Sequence, residues 1–178
     1  MSGWTNRRGS SSSSGSRDDP ASSPKDQPSA YQRALGLLVR REHSRKELVR
    51  KLSDKGIERD EAEQALDKLN RQDFQNDARF AAALARSRAS AGYGPGRIRA
   101  ELATHGLGRD DIAAALEACE RDWDASARDI VQRRYGGKDL GDAALRRKAV
   151  DFLLRRGFEH KSALAAVRAA PGETDFDD

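Results

Sequence analysis

Apolar side chains and glycines recur along this chain with a period of about fifty residues. The recurring set is Leu48, Leu52, Gly56 and Ile57, then Ile98, Leu102, Gly106 and Leu107, then Ala149, Leu153, Gly157 and Phe158. Behind each glycine, apolar residues follow again at helical spacing. Self-similarity at a fixed period indicates one supersecondary unit repeated in tandem. Tandem arrays of this kind are typical of proteins that bind partners along their length.

Each repeat is predicted to contain three helices, because Ala, Leu, Arg, Glu and Lys dominate and β-branched residues are few. The first helix of repeat 1 is predicted over 30–42. Ser44 and Glu47 have the spacing of a reciprocal capping box, which predicts the start of the second helix. Gly56 is predicted to end that helix in the left-handed conformation. The apolar positions 62, 65, 66 and 69 predict one stripe of a third helix.

The second and third repeats follow the same plan. Pro95 after Gly94 predicts a helix start, and Gly106 predicts its end. The other first helices are predicted over 76–91 and 122–135. Repeat 3 has an interruption at 135–138 and resumes with helices over 142–156 and 159–169. Phe74 and Phe80 are predicted to be core residues at the joint between repeats 1 and 2.

The predicted fold class is therefore all-α, with three tandem three-helix, helix-turn-helix-like repeats forming an elongated curved array. The predicted boundaries are 29–74 for repeat 1, 75–121 for repeat 2 and 122–170 for repeat 3. A disordered Ser-rich tail over 1–28 and an acidic tail over 171–178 are predicted to flank them, since neither contains enough apolar surface to fold. The chain is expected to be a monomer.

Composition narrows the possible functions. The single cysteine, Cys119, excludes an internal disulfide framework and is predicted to be a small buried side chain. No apolar run is long enough for a membrane span and no signal peptide is recognisable, so a cytoplasmic protein is expected. Residues 30–170 contain 29 of the 33 Lys and Arg residues but 22 of the 29 Asp and Glu residues, a net charge of +7. That excess suits an anionic partner.

The basic charge is segregated by helix, concentrated in the second helices of the repeats with additions from the first helices. Stacked repeats could align it into a stripe that binds a protein or nucleic-acid partner. The predicted contact residues are Arg40, Arg41, Arg45, Lys46, Arg50, Lys51, Arg79, Arg97, Arg99, Arg146, Arg147, Lys148 and Arg155. Tyr93, at the turn before Gly94, is added as a residue that either packs or contacts the partner.

No arrangement typical of catalysis, metal binding or cofactor binding is recognisable, so neither an enzyme nor a cofactor is expected. The three histidines do not occupy equivalent repeat positions. The three-helix unit itself invites a DNA-binding interpretation with the third helix in the major groove. The third helices of repeats 1 and 2 are acidic, however, and phosphates would repel them.

Three stretches carry a resemblance to a known family. They are Ser44-Arg45-Lys46-Glu47-Leu48 with Lys55-Gly56-Ile57, Asn76-Asp77-Ala78-Arg79-Phe80-Ala81, and Gly92-Tyr93-Gly94-Pro95-Gly96-Arg97-Ile98 with Glu101-Leu102. In order and spacing they resemble the bacterial RecX regulatory proteins over roughly residues 31–168. Asn76 stands where an aspartate is usual in that family, and His105 where a lysine is usual.

The resemblance implies three tandem three-helix units that bind the RecA recombinase and its nucleoprotein filament. It further implies suppression of strand exchange, ATP hydrolysis and coprotease activity, and thus a role in DNA repair, homologous recombination and the SOS response. Single- or double-stranded DNA is the expected anionic surface for the basic stripe. Two alternatives remain open at this point: a helix-turn-helix-type DNA-binding regulator, and a scaffold for another protein that acts without RecA.

Overall fold

The computed structural model describes residues 27–170, and within that range the chain forms nine α-helices and no strand. The helices are α1 (Ala30–Leu38), α2 (Arg45–Ser53), α3 (Arg59–Arg71), α4 (Asp77–Ser90), α5 (Pro95–Thr104), α6 (Arg109–Glu117), α7 (Trp123–Tyr135), α8 (Ala143–Arg155) and α9 (His160–Arg168). Successive groups of three form repeats 1, 2 and 3. None of the helices in the described range is long and apolar enough to cross a bilayer.

Each repeat has its own small hydrophobic core, because its three helices pack mainly on one another. Leu66 and Leu69 are fully buried in repeat 1, Ile98 in repeat 2 and Leu153 in repeat 3. Trp123 packs against the cores of both repeat 2 and repeat 3. The predicted all-α tandem array is confirmed. The exact repeat boundaries stay predictions, and those for the two tails lie outside the described residues apart from 27 and 28.

The turn between the second and third helix of every repeat contains a glycine with positive φ. The values are +78° at Gly56, +84° at Gly106 and +89° at Gly157. Only glycine adopts this conformation without a steric penalty on Cβ. The predicted helix ends at these glycines are confirmed, as is the position of Pro95 in the first turn of α5.

Three local predictions are wrong. Helix α1 ends at Leu38 and not at 42, and Glu42 beyond its end pairs with Arg79 on repeat 2. The Ser44 hydroxyl accepts from the Glu47 N–H at 3.1 Å, but the Glu47 carboxylate binds Arg41 instead of completing the capping box. Phe74 is 48% exposed, since Gln75 takes the buried position of that loop. Phe80, in contrast, is buried as predicted.

Candidate protein and nucleic-acid interface

The two joints between repeats are built alike. In each, the start of the second helix of one repeat meets the glycine turn between the second and third helices of the next. At the first joint, Ser44 Oγ lies 2.9 Å from His105 Nδ1, and Lys46 Nζ donates to the Thr104 carbonyl at 2.8 Å. At the second joint, the N–H groups of Gly94 and Gly96 donate to the carbonyls of Arg156 and Gly157.

Side chains hold the first joint together. One carboxylate oxygen of Asp77 accepts from the Arg45 N–H at 2.7 Å and from Gln75 Nε2 at 2.8 Å. The Arg79 guanidinium donates to Glu42 at 2.5 Å and to Asp73 at 3.2 Å. The segment 42–45 is thereby attached to the start of α4, which explains why α1 stops early.

A cleft of about 890 Å³ lies at the first joint, between α2, α3 and the glycine turn of repeat 2. Four basic residues line it, namely Arg45, Lys46, Arg50 and Arg59, together with Glu47, Glu63, Asp77 and His105. A second cleft of about 550 Å³ is lined by Tyr93, Arg97 and Glu101 on repeat 2. Thr104 lines both, so the two clefts adjoin.

Glu47 gathers several charged side chains on the repeat 1 side of the first joint. Burial alone would raise the pKa of its carboxyl group, but the hydrogen bonds and positive charge of Arg41 and the contact with His43 outweigh burial and lower the pKa from 4.5 to about 2. Lys51 Nζ lies 3.5 Å from the same carboxylate. Burial also lowers the pKa of His43 below 6.5, against the opposing influence of Glu47, so the imidazole is neutral at pH 7.

These shifts predict that the stability of repeat 1 is sensitive to acid. A carboxyl group with a lowered folded-state pKa stabilises the fold above about pH 4.5, and that contribution is lost as the pH falls towards about 2. Glu47→Gln is expected to reduce the free energy of unfolding at pH 7 by about 1–3 kcal/mol, because it removes charged hydrogen bonds. The variant should also lose less stability than the parent between pH 4.5 and pH 2. Denaturant unfolding at several pH values measures both quantities.

Glu63→Gln is the control for this pair of measurements. Glu63 is more exposed and pairs with the exposed Arg59 on the same helix, so its substitution should leave the pH profile unchanged. A parent-like profile for Glu47→Gln would contradict the assignment.

Glycines hold the second joint together through close backbone approach. A Cβ atom added to Gly94 would lie 2.5 Å from the Phe158 nitrogen, and one added to Gly157 would lie 2.2 Å from the Arg97 nitrogen. Arg156 extends the contact by donating to the carbonyls of Ala91 and Gly92 at 3.0 and 3.1 Å. The glycines at 92–96 therefore allow repeats 2 and 3 to pack closely, in addition to marking the helix start predicted from the sequence.

The predicted contact residues separate into two groups. Those whose charge is engaged within the protein are Arg41 and Lys51 with Glu47, Arg45 with Asp67, Lys46 with the Thr104 carbonyl, and Arg79 with Glu42 and Asp73. Those that form no ion pair within residues 27–170 are Arg40, Arg50, Arg97, Arg99, Arg146, Arg147, Lys148 and Arg155, all of them exposed. Tyr93 is half-buried against the core of repeat 2. Whether any of these residues contacts a partner stays a prediction.

The basic charge does not repeat position by position. Fifty residues after Lys46 and Arg50 stand Gly96 and Ala100, so the surface of α5 is less basic than that of α2. In repeat 3 the exposed bases lie on α8 around the buried Ala149 and Leu153. The predicted stripe therefore consists of a basic patch on repeat 1, Arg97 and Arg99 on repeat 2, and a second patch on repeat 3.

The residue before each turn glycine is the one that sequence reasoning missed. Lys55, His105 and Arg156 occupy this position in the three repeats. In repeats 2 and 3 it contacts the preceding repeat, through the His105–Ser44 contact and the Arg156 hydrogen bonds. The equivalent position of these three residues was visible in the sequence. Their contact with the preceding repeat was not, because a contact between repeats produces no helical periodicity.

No group of three His, Cys, Asp or Glu side chains in residues 27–170 is arranged to hold a metal ion. Cys119 lies two residues after the end of α6 and is half-buried against the core of repeat 2. Burial raises the pKa of its thiol. The described surface therefore presents charged clefts at the joints between repeats as its distinctive chemistry.

Sequence models of three protein domains match the chain in order. They are the first three-helix domain of RecX at residues 30–69, the second at 76–116 and the third at 120–162. Together they cover more than half of the chain.

Individual relatives agree with these matches. The chain is 59% identical over 137 residues to regulatory protein RecX of Xanthomonas axonopodis pv. citri (strain 306), covering 77% of this chain and 85% of that protein. It is 54% identical over 150 residues to the protein of the same name from Stenotrophomonas maltophilia (strain R551-3), covering 84% and 91%.

Two solved structures share the architecture. A crystal structure of regulatory protein RecX superposes with a TM-score of 0.61 at 27% identity, covering 75% of this chain and 67% of that one. The crystal structure of RecX from Lactobacillus salivarius gives a TM-score of 0.63 at 22% identity, covering 78% and 92%, and supports the fold alone.

Proposed function

The chain belongs to the RecX family, and from that premise we propose that it binds the RecA recombinase and its nucleoprotein filament. In doing so it inhibits recombinase, ATPase and coprotease activities and thereby modulates DNA repair, homologous recombination and the SOS response. It acts in the cytoplasm as a monomer that binds and does not catalyse. The observation that carries this proposal is the full set of three family domains in tandem, with charged clefts at their joints.

The architecture suits a filament as partner. Three thin cores in series leave the joints open to solvent, and the adjoining clefts of repeats 1 and 2 run across one joint. Tandem repeats make extended binding surfaces of this kind. A protein that follows a helical groove needs such a surface, whereas a single compact domain contacts only one place on the filament.

The charges suit a partner made of protein and DNA. Arg50 and Arg97, which line the two adjoining clefts, form no ion pair within the described residues and are available to phosphates. The acidic residues Asp110 and Asp111 at the start of α6 are exposed on another helix and could face basic protein surface. We therefore assign the basic clefts to DNA within the filament and the acidic third helices to RecA.

A helix-turn-helix-type regulator is the alternative, and the third helices argue against it. Helix α3 presents Asp60 and Glu61 in its exposed first turn, and α6 presents Asp110 and Asp111. The first turn of a recognition helix is the part that reads base edges in the major groove. Carboxylates there lie close to phosphates and are repelled by them.

Hydrolysis of ATP by RecA on single-stranded DNA tests the proposal, since the chain is expected to inhibit it. A regulator of the helix-turn-helix type would instead bind duplex DNA sequence-selectively without RecA and leave the hydrolysis unchanged. A scaffold for another protein would show neither effect. Both of those results would contradict the proposed function.

A further inference from the structure

A row of alternating aromatic rings and cationic groups crosses the second joint. Its members in spatial order are Tyr93, Arg156, Phe152, Arg134, Tyr135 and Lys138. The Arg156 guanidinium lies 5.3 Å from the Tyr93 ring centroid and 4.9 Å from that of Phe152. The Arg134 guanidinium lies 4.4 Å from the Phe152 centroid and 6.0 Å from that of Tyr135, with Lys138 at 5.6 Å from the latter. We call this row the cation–aromatic ladder.

The two guanidinium groups of the ladder retain most of their hydrogen-bonding capacity. Arg156 uses one terminal nitrogen, which donates to the carbonyls of Ala91 and Gly92. Its remaining N–H groups have no acceptor within residues 27–170. Arg134 is exposed and has neither a hydrogen bond nor an ion pair in that range. A guanidinium has five N–H donors, so most donors of both groups are free to bind a ligand. The ring contacts hold the two planar cations in place.

These groups border a cleft. It has a volume of about 500 Å³, and the charged and aromatic residues that line it are Arg133, Arg134, Phe152 and Arg156. Of the three arginines that line it, Arg133 pairs with Asp129 one helical turn away, whereas Arg134 and Arg156 form no ion pair within residues 27–170. The cleft is thus positively charged, and it lies between repeats 2 and 3, apart from the clefts assigned above.

We propose that this cleft binds single-stranded nucleic acid, with a base stacked on the Arg134 guanidinium plane and adjacent phosphates bound by the open N–H donors. Unpaired bases stack on arginine planes as well as on aromatic rings, and phosphates accept bidentate hydrogen bonds from arginine. This site rests on the proposed function, because a RecA filament contains single-stranded DNA. Nucleic-acid binding is measured without RecA, so a failure of the site can be told from a failure of the proposed function.

The chemistry of the ladder favours nucleic acid over an acidic peptide. Carboxylates need only positive charge, which lysine supplies equally well, and they have no ring to stack. The ladder instead has arginine at both positions beside Phe152, with each guanidinium held over that ring by a cation–π contact. A flat, weakly hydrated cation with an open face matches the π-face that every base has.

Fluorescence anisotropy with labelled oligonucleotides tests the site directly. The probes are a twenty-residue oligo(dT) strand, an abasic strand of the same length, and polyglutamate as competitor. Arg134→Ala is expected to weaken binding to oligo(dT) about tenfold, since base stacking and a phosphate contact are both lost. Arg134→Lys keeps the charge but removes the plane. It should weaken oligo(dT) binding about fivefold and binding to the abasic strand by less, because the abasic strand loses only the bidentate phosphate contact and not a stacked base.

Arg109→Ala and Arg109→Lys are the matched controls, because Arg109 is exposed on α6 and forms no ion pair within the described residues. Both should bind oligo(dT) like the parent protein, and circular dichroism checks that all variants are folded. Parent-like affinity of Arg134→Lys for oligo(dT) would overturn the stacking role. Equal losses in the Arg109 variants, or displacement of oligo(dT) by polyglutamate at matched charge, would overturn the site. Overturning the site in this way leaves the proposed function intact as long as the parent protein inhibits RecA.

Discussion

Replacing Gly157 by alanine is expected to reduce the free energy of unfolding by about 2–5 kcal/mol and to separate repeat 3 from repeat 2. The backbone at Gly157 has φ +89°, which costs an L-residue roughly 1–2 kcal/mol. The new Cβ would lie 2.2 Å from the Arg97 nitrogen and 2.5 Å from its Cβ, and relieving such a clash costs about 1–3 kcal/mol more. Thermal and denaturant unfolding measure the total loss.

Gly56→Ala is the matched control for this prediction. Gly56 occupies the same turn in repeat 1 with φ +78°, but nothing lies within 4 Å of an added Cβ. Its loss should be limited to the backbone penalty of roughly 1–2 kcal/mol. The difference between the two variants isolates the contact between repeats. Equal losses would show that Gly157 serves only its own turn.

Loosening the second joint is also expected to affect inhibition of RecA. The Gly96 N–H donates to the Gly157 carbonyl at 2.9 Å, and this bond breaks if the alanine methyl pushes the two turns apart. Because a filament-binding array needs all of its repeats in fixed register, Gly157→Ala should also impair inhibition of RecA at temperatures where the individual repeats remain folded.

Reversing the charge of Arg50 and Arg97 together is expected to weaken inhibition of RecA tenfold or more. Both are exposed, both line the adjoining clefts of repeats 1 and 2, and neither has an ion-pair partner in residues 27–170. Each lost phosphate contact should also reduce the salt dependence of binding, because fewer counterions are released. Inhibition of RecA is measured at several salt concentrations for the parent and for the Arg50→Glu, Arg97→Glu double variant.

The choice of these two residues follows from the structure. Arg45 forms an ion pair with Asp67 at 2.7 Å, and Lys46 binds the Thr104 carbonyl at the joint. Reversing their charges would disrupt the fold and the clefts at once, so a loss of inhibition could not be assigned to contact with a partner.

A double reversal at Arg109 and Arg168 gives the same change of net charge away from the clefts. Both residues are exposed and form no ion pair in the described part of the chain. This variant should inhibit RecA like the parent protein. If both double variants lost inhibition equally, net charge and not the clefts would be responsible.

Features that depend on local sequence were predictable. The turn glycines, Pro95 and the apolar spacing of each helix are set by backbone sterics and by burial of one helix face, and both act over a few residues. The repeat of these signals then predicted three similar units in tandem. For the same reason the buried Phe80 was predicted correctly.

Features that depend on contacts between repeats were not predictable. Helix α1 could continue to 42 on local propensity, but Glu42 reaches Arg79 and the chain leaves the helix. Glu47 could close a capping box, but Arg41 and His43 compete for its carboxylate. Several of the basic residues chosen as partner contacts hold the joints for the same reason. Charge alone does not show whether a side chain faces a partner or a neighbouring repeat.

The measurement that most directly tests the central claim is RecA's ATP hydrolysis on single-stranded DNA, with this protein titrated from far below equimolar up to equimolar amounts. Binding to the filament predicts inhibition, and inhibition far below equimolar indicates action on filaments over sequestration of RecA monomers. Unchanged hydrolysis with an equimolar amount of folded protein, confirmed by circular dichroism, would contradict the account.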